Sequence, residues 1–171
     1  TDLPNWFVKN TKKLKKDEQD EFLENFYKEP NLHLVFKNEF LLKNFKDKYI
    51  SSTTHSAFIT ESKKINDLCN YHKGEWWVQD FSSMLPLYLS PEISRKKILD
   101  LCSAPGAKSF QAITKNEEVK ENNINKKKID ILKNNLKRLN FDIKITNKNA
   151  LNLNTDDKYD VVLLDAPCTA I

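Results

Sequence analysis

The second half of the chain alternates between short apolar runs and longer amphipathic stretches. The apolar runs predict four strands, at residues 97–101, around Val119, at 143–146 and at 160–164. The stretches between them predict helices over residues 108–114 and 126–139. The longer helix has a single apolar stripe, formed by Ile129, Leu132, Leu136 and Leu139. Strands that alternate with helices in this order predict an α/β fold with a doubly wound parallel sheet.

The first part of the chain has a different pattern. It predicts a pair of helices, a strand, a short helix and a second strand, at residues 3–28, 32–36, 39–45 and 57–60. Asp17 is placed to cap the second helix of the pair. A further strand is expected at residues 76–80, leading into a helix. We therefore expect a small α+β region over residues 1–73, followed by the parallel sheet over residues 74–171.

One predicted strand ends in a turn of small residues. Ile98, Leu99 and Leu101 form the strand, and residues 103–107 interrupt the apolar run before the next helix. The first backbone N–H groups of a helix have no partner within it, and Gly106 lets a ligand approach the backbone closely. The turn therefore predicts a cradle for a nucleotide-like ligand, although any strand-to-helix turn of an α/β protein has this order of residues.

A second strand end carries candidate chemistry. The run YDVVLL over residues 159–164 is β-branched and apolar, which is typical of a strand buried on both faces. Asp165 follows it directly, and Cys168 comes next in the segment DAPC. Ligands of open α/β proteins bind at the carboxyl ends of the strands. We therefore expect Cys102 and Cys168 to lie on the same functional edge of the sheet.

Composition narrows the class of protein. The formal net charge of +4 comes mostly from clustered lysines, which are compatible with nucleic-acid contact but more typical of a solvated surface. The three cysteines are widely spaced, so neither a disulfide framework nor a metal site is expected. No stretch approaches the roughly 18 apolar residues of a membrane span, and the first residues contain no signal-peptide pattern. We expect a cytoplasmic monomer with no membrane partner.

Four motifs resemble those of a known family. They are DLCSAPGAK at residues 100–108, LLDAPC at 163–168, VQD at 78–80 and NLKRL at 135–139. Their order and spacing are similar to those of the RsmB (Sun) group of RNA cytosine-5 methyltransferases, and the resemblance covers nearly the whole chain. It implies a Rossmann-like methyltransferase sheet, which we expect to be incomplete at its C-terminal side.

The resemblance implies S-adenosylmethionine as the cofactor and RNA as the partner, with small-subunit ribosomal RNA as the substrate. The cofactor-binding residues that it implies are Cys102, Ser103, Ala104, Pro105, Gly106, Ala107, Lys108, Asn123, Asn149 and Asp165. The family has acids where this chain has Asn123 and Asn149, and Glu121 reaches the ribose site only if the register shifts. We expect the loss of these charges to lower the affinity for the cofactor.

The resemblance also implies which residues take part in the reaction. Asp165 holds the target base near the donated methyl group, and Cys168 helps to release the product. Carbon 5 of cytosine becomes nucleophilic only after a thiolate adds to carbon 6, and in the family this thiolate comes from a later motif. That motif is absent from the sequence. We therefore expect the chain to be the N-terminal part of an enzyme and to be inactive alone.

Two other functions stay open. The amides at positions 123 and 149, together with the absent motif, favour a catalytically inactive RNA-binding fragment of a methyltransferase. An amino-group methyltransferase is disfavoured, because it requires an Asp/Asn-Pro-Pro-aromatic motif where this chain has DAPC. Titration of the chain with S-adenosylmethionine distinguishes the inactive fragment from the enzyme.

Overall fold

The fold is that of a computed structural model, which describes residues 5–28, 30–116, 118–153 and 156–166. The chain divides into two units, Thr1–Asn31 and Leu32–Ile171. The boundary expected between residues 73 and 74 lies inside the second unit. Each unit is described separately below.

The first unit contains two helices, as the sequence predicts. They are α1 (Asn5–Thr11) and α2 (Lys16–Tyr27). Asp17 does not cap α2, because the helix begins one residue before it. Instead, the carboxylate of Glu18 accepts a hydrogen bond of 2.8 Å from the backbone N–H of Lys15. The residues of α2 are exposed or half-buried, so this helix contributes little to a core.

The second unit begins with an antiparallel sheet. Its elements are β1 (His33–Phe36), α3 (Glu39–Lys43), β2 (Tyr49–Thr53), β3 (Ser56–Ile59) and β4 (Trp76–Val78). The strands lie side by side in the order β2-β3-β1-β4. Leu34, Phe36 and Trp76 form its buried centre. The sequence does not predict β2, because its residues YISST show no apolar alternation.

The remaining elements form a parallel sheet with its helices. They are α4 (Phe81–Tyr88), β5 (Ile98–Asp100), α5 (Ala107–Ile113), β6 (Val119–Asn122), α6 (Lys126–Arg138), β7 (Lys144–Thr146) and β8 (Val161–Leu163). The strand order is β7-β6-β5-β8, and each described pairing is parallel. This arrangement agrees with the predicted Rossmann-like α/β class. The apolar stripe of α6 is buried as predicted, at Ile129, Leu132 and Leu136.

Strand β8 is more exposed than its sequence predicts. It lies at the edge of the described sheet, paired with β5 on one side. Val162 is 53% exposed and Leu164, just beyond the strand, is 65% exposed. The prediction of a strand buried on both faces is therefore wrong for the described residues. An apolar run identifies a strand, but it does not show which of its faces other elements cover.

Arg138, the last residue of α6, fastens that helix to the antiparallel sheet. Its Nη1 group donates hydrogen bonds to the backbone carbonyls of Tyr71 (3.0 Å) and Trp76 (3.1 Å). Its guanidinium carbon lies 4.4 Å from the centre of the Tyr71 ring. The backbones also approach closely, because a Cβ atom on Gly74 would lie 1.8 Å from the carbonyl oxygen of Arg138. The guanidinium group of Arg138 and the absence of a side chain at Gly74 together keep α6 packed against the antiparallel sheet.

Replacing Arg138 by alanine is expected to lower the free energy of unfolding by about 2 to 4 kcal/mol, because two part-buried carbonyl groups lose their donor. The matched control is Lys137→Ala, since Lys137 is exposed and precedes Arg138 on the same helix. The control is expected to change stability by less than about 0.5 kcal/mol. Urea unfolding followed by circular dichroism measures both variants. Equal losses in the two variants would contradict the role assigned to Arg138.

Candidate functional site

A cavity of about 770 Å³ lies at the carboxyl ends of the parallel strands. Nine of the predicted site residues line it: Cys102, Ser103, Ala104, Pro105, Ala107, Lys108, Asn123, Asn149 and Asp165. Gly106 is not part of its wall, and Cys168 lies outside the described residues. The cavity is large enough for a ligand of nucleoside size.

The buried carboxyl group of Asp100 holds the loop that forms one wall. Its Oδ1 atom accepts a hydrogen bond of 3.2 Å from the backbone N–H of Cys102, and its Oδ2 atom accepts one of 2.7 Å from the Ser109 hydroxyl. Asp100 ends β5 and Ser109 lies in the first turn of α5, so this side chain ties the strand to the helix beyond the loop. Burial raises the pKa of Asp100, and the two donors oppose the rise.

Gly106 allows the same loop to pack closely against α5 and α6. Its φ of +120° disfavours a side chain, and a Cβ atom there would lie 2.0 Å from Cζ of Phe110 and 2.8 Å from Cδ1 of Leu132. In the structure, glycine is therefore required at position 106 by backbone conformation and packing, and not by the close approach of a ligand that the sequence predicts. Asn135 of the NLKRL motif supports the loop from α6, donating a hydrogen bond of 3.1 Å to the carbonyl of Pro105.

Lys108 connects α5 to the segment that follows β8. Its Nζ atom lies 2.6 Å from Oδ2 of Asp165 and 2.8 Å from the hydroxyl oxygen of Ser83. Asp165 is 65% exposed, so this ion pair faces the cavity and the solvent. A charge-assisted hydrogen bond of this length fixes the direction of the carboxylate.

The floor of the cavity is built by Gln79 and Asp80 of the VQD motif. Gln79 accepts a hydrogen bond of 2.9 Å from the indole of Trp77 and donates one of 3.1 Å to the side chain of Gln111. Asp80 caps α4, accepting a hydrogen bond of 2.9 Å from the backbone N–H of Ser83. These contacts anchor the floor to α4 and α5, and they position Ser83 in the wall.

The opposite wall is built from asparagines. The Oδ1 atom of Asn123 accepts a hydrogen bond of 2.9 Å from the backbone N–H of Asn125. The Oδ1 atom of Asn149 accepts one of 3.0 Å from the backbone N–H of Leu151. Both amide oxygens are therefore used within the chain. Glu121 does not replace them, because its side chain is completely buried and does not line the cavity.

Comparison with known proteins shows to which family this chain belongs. The family described as 16S rRNA methyltransferase RsmB/F matches residues 86–171, which include the loop after β5 and the segment after β8. The chain belongs to this family. The probable ribosomal RNA small subunit methyltransferase B of Coxiella burnetii is 24% identical over 98% of the chain, and its counterpart in Shewanella oneidensis is 23% identical over 98%. The chain spans 43% and 42% of the lengths of these two relatives.

Solved structures show the same fold. The crystal structure of PH0851 matches with a TM-score of 0.78 at 20% identity, over 96% of this chain and 41% of that one. The crystal structure of NSun6 from Pyrococcus horikoshii with SFG matches with a TM-score of 0.55 at 25% identity, over 67% of this chain and 32% of that one. The predicted Rossmann-like methyltransferase fold is confirmed. RsmB/F proteins are S-adenosylmethionine-dependent methyltransferases, which confirms the predicted cofactor at the level of the family.

The predicted site of this RsmB/F chain leaves out several residues of the cavity wall, among them Ser83, Lys128 and Lys148. Ser83 lies one turn after the VQD motif, so the motif itself is the signal that places it near the floor. The two lysines stand in ordinary lysine-rich surface sequence, and only the fold shows that they border the cavity.

Other kinds of site are not found in the described part of the chain. There, no group of three or more His, Cys, Asp or Glu side chains is arranged to hold a metal ion. In the same residues, no helix has the length and apolar character needed to cross a membrane. Cys102 is a free thiol whose pKa is raised by burial and by the nearby acids Asp100 and Asp165. A raised pKa makes this thiol a poor nucleophile.

Two carboxyl groups are buried side by side beneath the wall. Asp100 and Glu121 are register partners on β5 and β6. Within the described residues, neither carboxylate oxygen of Glu121 has a hydrogen-bond partner. Burial, with the nearby charge of Asp100, raises the pKa of Glu121 to about 7. The folded protein therefore keeps this proton at pH values where the unfolded chain has lost it.

The substitution Glu121→Gln is expected to remove part of the pH dependence of stability. Because the pKa of Glu121 rises from its ordinary 4.5 to about 7 on folding, stability falls as the pH increases through this window and stays lower above it. Glutamine stays neutral, so the variant should gain roughly 3 kcal/mol relative to the parent across the window. Urea unfolding at pH values on both sides of the window measures the gain.

The control for this experiment is Glu92→Gln, since Glu92 lies on the surface. Its stability is expected to follow that of the parent at every pH. A difference between Glu121→Gln and the parent that stays constant across the window would contradict the raised pKa of Glu121.

Proposed function

We propose that this chain binds S-adenosylmethionine in the cavity and forms the cofactor-binding part of an enzyme that methylates carbon 5 of cytosine in small-subunit ribosomal RNA. The observation that carries the proposal is the meeting of the loop after β5 with Asp165 and Lys108 in one cavity. The relatives named as ribosomal RNA small subunit methyltransferase B support the choice of substrate.

The residues of the cavity fit this cofactor. Its loop wall has small side chains at Ser103, Ala104 and Ala107, which leave room for a ligand. The Lys108 ammonium offers a cation to the cofactor carboxylate. Asn123 would contact the ribose through its NH₂ group, which has no hydrogen-bond partner among the described residues, while its oxygen accepts one bond within the chain. Bound S-adenosylmethionine supplies an electrophilic methyl group.

Asp165 is placed to hold the target base. Its Oδ2 atom is fixed by Lys108, whereas its Oδ1 atom has no hydrogen-bond partner among the residues that the structure describes. Cytosine carries an amino group that donates hydrogen bonds, and a carboxylate oxygen is a matching acceptor. A cytosine taken from an RNA loop or flipped out of a helix would reach this exposed carboxylate.

The proposal gives the two motif cysteines different roles. Cys102 contributes structure, because its raised pKa disfavours the thiolate form. Cys168, three residues after Asp165, assists product release, as the family resemblance implies. In the family, the thiolate that attacks carbon 6 comes from a different motif.

Isothermal titration calorimetry of the chain with S-adenosylmethionine tests the cofactor site. The parent is expected to bind with one saturable site. Lys108→Ala is expected to weaken binding about tenfold, because the cofactor carboxylate loses a charge-assisted partner. Lys127→Ala is the control, since Lys127 is exposed and does not line the cavity. Absence of saturable heat from the folded parent would contradict the proposal.

An inactive RNA-binding fragment is the second candidate function. It is favoured by the two wall amides, Asn123 and Asn149, which stand where the family has acids and whose oxygens are already used. In that case S-adenosylmethionine gives no heat, while fluorescence anisotropy still detects binding of a labelled RNA. Binding of the cofactor would exclude this candidate.

A further inference from the structure

The half of the cavity that follows β6 and β7 carries no acid among its described residues. We call this half the amide rim; it consists of Asn123, Asn125, Lys128, Lys148 and Asn149. The acids of the cavity wall come from elsewhere in the fold: Asp80, Asp100 and Asp165. In the strand order β7-β6-β5-β8, Asp100 ends β5 and Asp165 follows β8. The amide rim therefore has two positive charges and no negative one.

The side-chain oxygens of the three rim amides each accept a hydrogen bond from the backbone. The Oδ1 atom of Asn123 accepts a hydrogen bond of 2.9 Å from the backbone N–H of Asn125, whose own Oδ1 atom accepts one of 3.2 Å from the backbone N–H of Lys128. The Oδ1 atom of Asn149 accepts one of 3.0 Å from Leu151. Because a backbone N–H only donates, these bonds fix which end of each amide is oxygen.

The rim offers several donors, whereas each of its amide oxygens already accepts one hydrogen bond and keeps one lone pair. In the described part of the chain, the three amide NH₂ groups and the two lysine ammonium groups of the rim have no hydrogen-bond partner. The carboxyl group of Glu121, on strand β6, is completely buried and does not line the cavity. A surface with two ammonium groups, three amide groups and no carboxylate is complementary to an anionic ligand that is rich in acceptors.

Such a surface favours binding of a ribose that carries a phosphate group over binding of a neutral ribose. A neutral ribose is usually held by a carboxylate that accepts from its hydroxyl groups, whereas a cation takes that place when the ribose is phosphorylated. Phosphate oxygens accept hydrogen bonds and attract ammonium groups. We propose that the amide rim binds a phosphate group on the ribose of a nucleoside seated in this cavity. The inference rests on the proposed nucleoside site and gives it a preference that S-adenosylmethionine does not satisfy.

A direct consequence is that the phosphorylated nucleoside and S-adenosylmethionine compete for this cavity. A nucleoside with a ribose phosphate and S-adenosylmethionine would use the same loop wall, so the chain cannot hold both. The phosphorylated nucleoside is therefore expected to displace S-adenosylmethionine, with an affinity that falls as salt screens the two lysines.

Calorimetric titration of the full chain with four probes tests the inference: adenosine, adenosine 2′-monophosphate, adenosine 3′-monophosphate and inorganic phosphate. At low ionic strength, at least one monophosphate is expected to bind about tenfold or more tightly than adenosine. Inorganic phosphate alone is expected to bind more weakly than that monophosphate, because it lacks the nucleoside.

Two variants test whether the rim carries the preference. Asn123→Asp keeps the acceptor for the N–H of Asn125 but adds a negative charge, so it should bind adenosine more tightly and lose the preference for the monophosphate. Removing both rim lysines, with Lys128→Gln and Lys148→Gln together, should also abolish the preference. Lys127→Gln, on the exposed surface of α6 outside the cavity wall, should leave it unchanged. Circular dichroism checks that each variant is folded.

Equal binding of adenosine and both monophosphates would overturn the inference, and so would inorganic phosphate that binds as tightly as either nucleotide. A preference that survives in folded Asn123→Asp would also overturn it. The results distinguish this inference from the cofactor proposal. If the monophosphates bind as expected but S-adenosylmethionine does not, only the cofactor proposal is contradicted. If S-adenosylmethionine binds and the preference is absent, only the inference about the rim is contradicted.

Discussion

The carboxyl group of Asp100 links the parts from which the cavity is made. It accepts hydrogen bonds from Cys102 in the loop and from Ser109 in α5, and it ends the strand that lies between β6 and β8. The loop is therefore fixed to its strand and to its helix by one buried group. The parallel register then brings the segments that follow the neighbouring strands to the same edge. Asn123 and Asp165, which are far apart in sequence, share a cavity for this reason.

Charge is unevenly distributed around this cavity. On the β8 side, an exposed carboxylate is oriented by Lys108 and has one oxygen free to accept, which suits the amino group of a base. On the β7 side, the described wall has two lysines, three asparagines and no acid. Between them, the buried carboxyl group of Glu121 has a pKa of about 7, so the fold tolerates two adjacent acids by keeping a proton on one of them. The two sides of the cavity therefore select different chemical groups.

The sequence predicts most of the sheet, because apolar runs and helical spacing report burial directly. It misses β2, a strand at the edge of its sheet whose serines and threonine are exposed or half-buried, and it overestimates the burial of β8. Motif resemblance identifies the residues that line the cavity, but not how they are oriented. Whether the amide of Asn149 presents its oxygen or its nitrogen depends on a backbone N–H in the next turn. Similarly, the packing of Phe110 against Gly106 cannot be deduced from the order of residues alone.

We propose that the loop after β5 and the strand ends beside it form one cofactor site. Hydrogen–deuterium exchange with mass spectrometry, with and without S-adenosylhomocysteine, is the decisive experiment. We expect slower exchange in residues 102–108 and in the segments after β6 and β7, and unchanged exchange in α2. Protection that is absent from these segments at saturating ligand, or confined to other parts of the chain, would contradict this proposal.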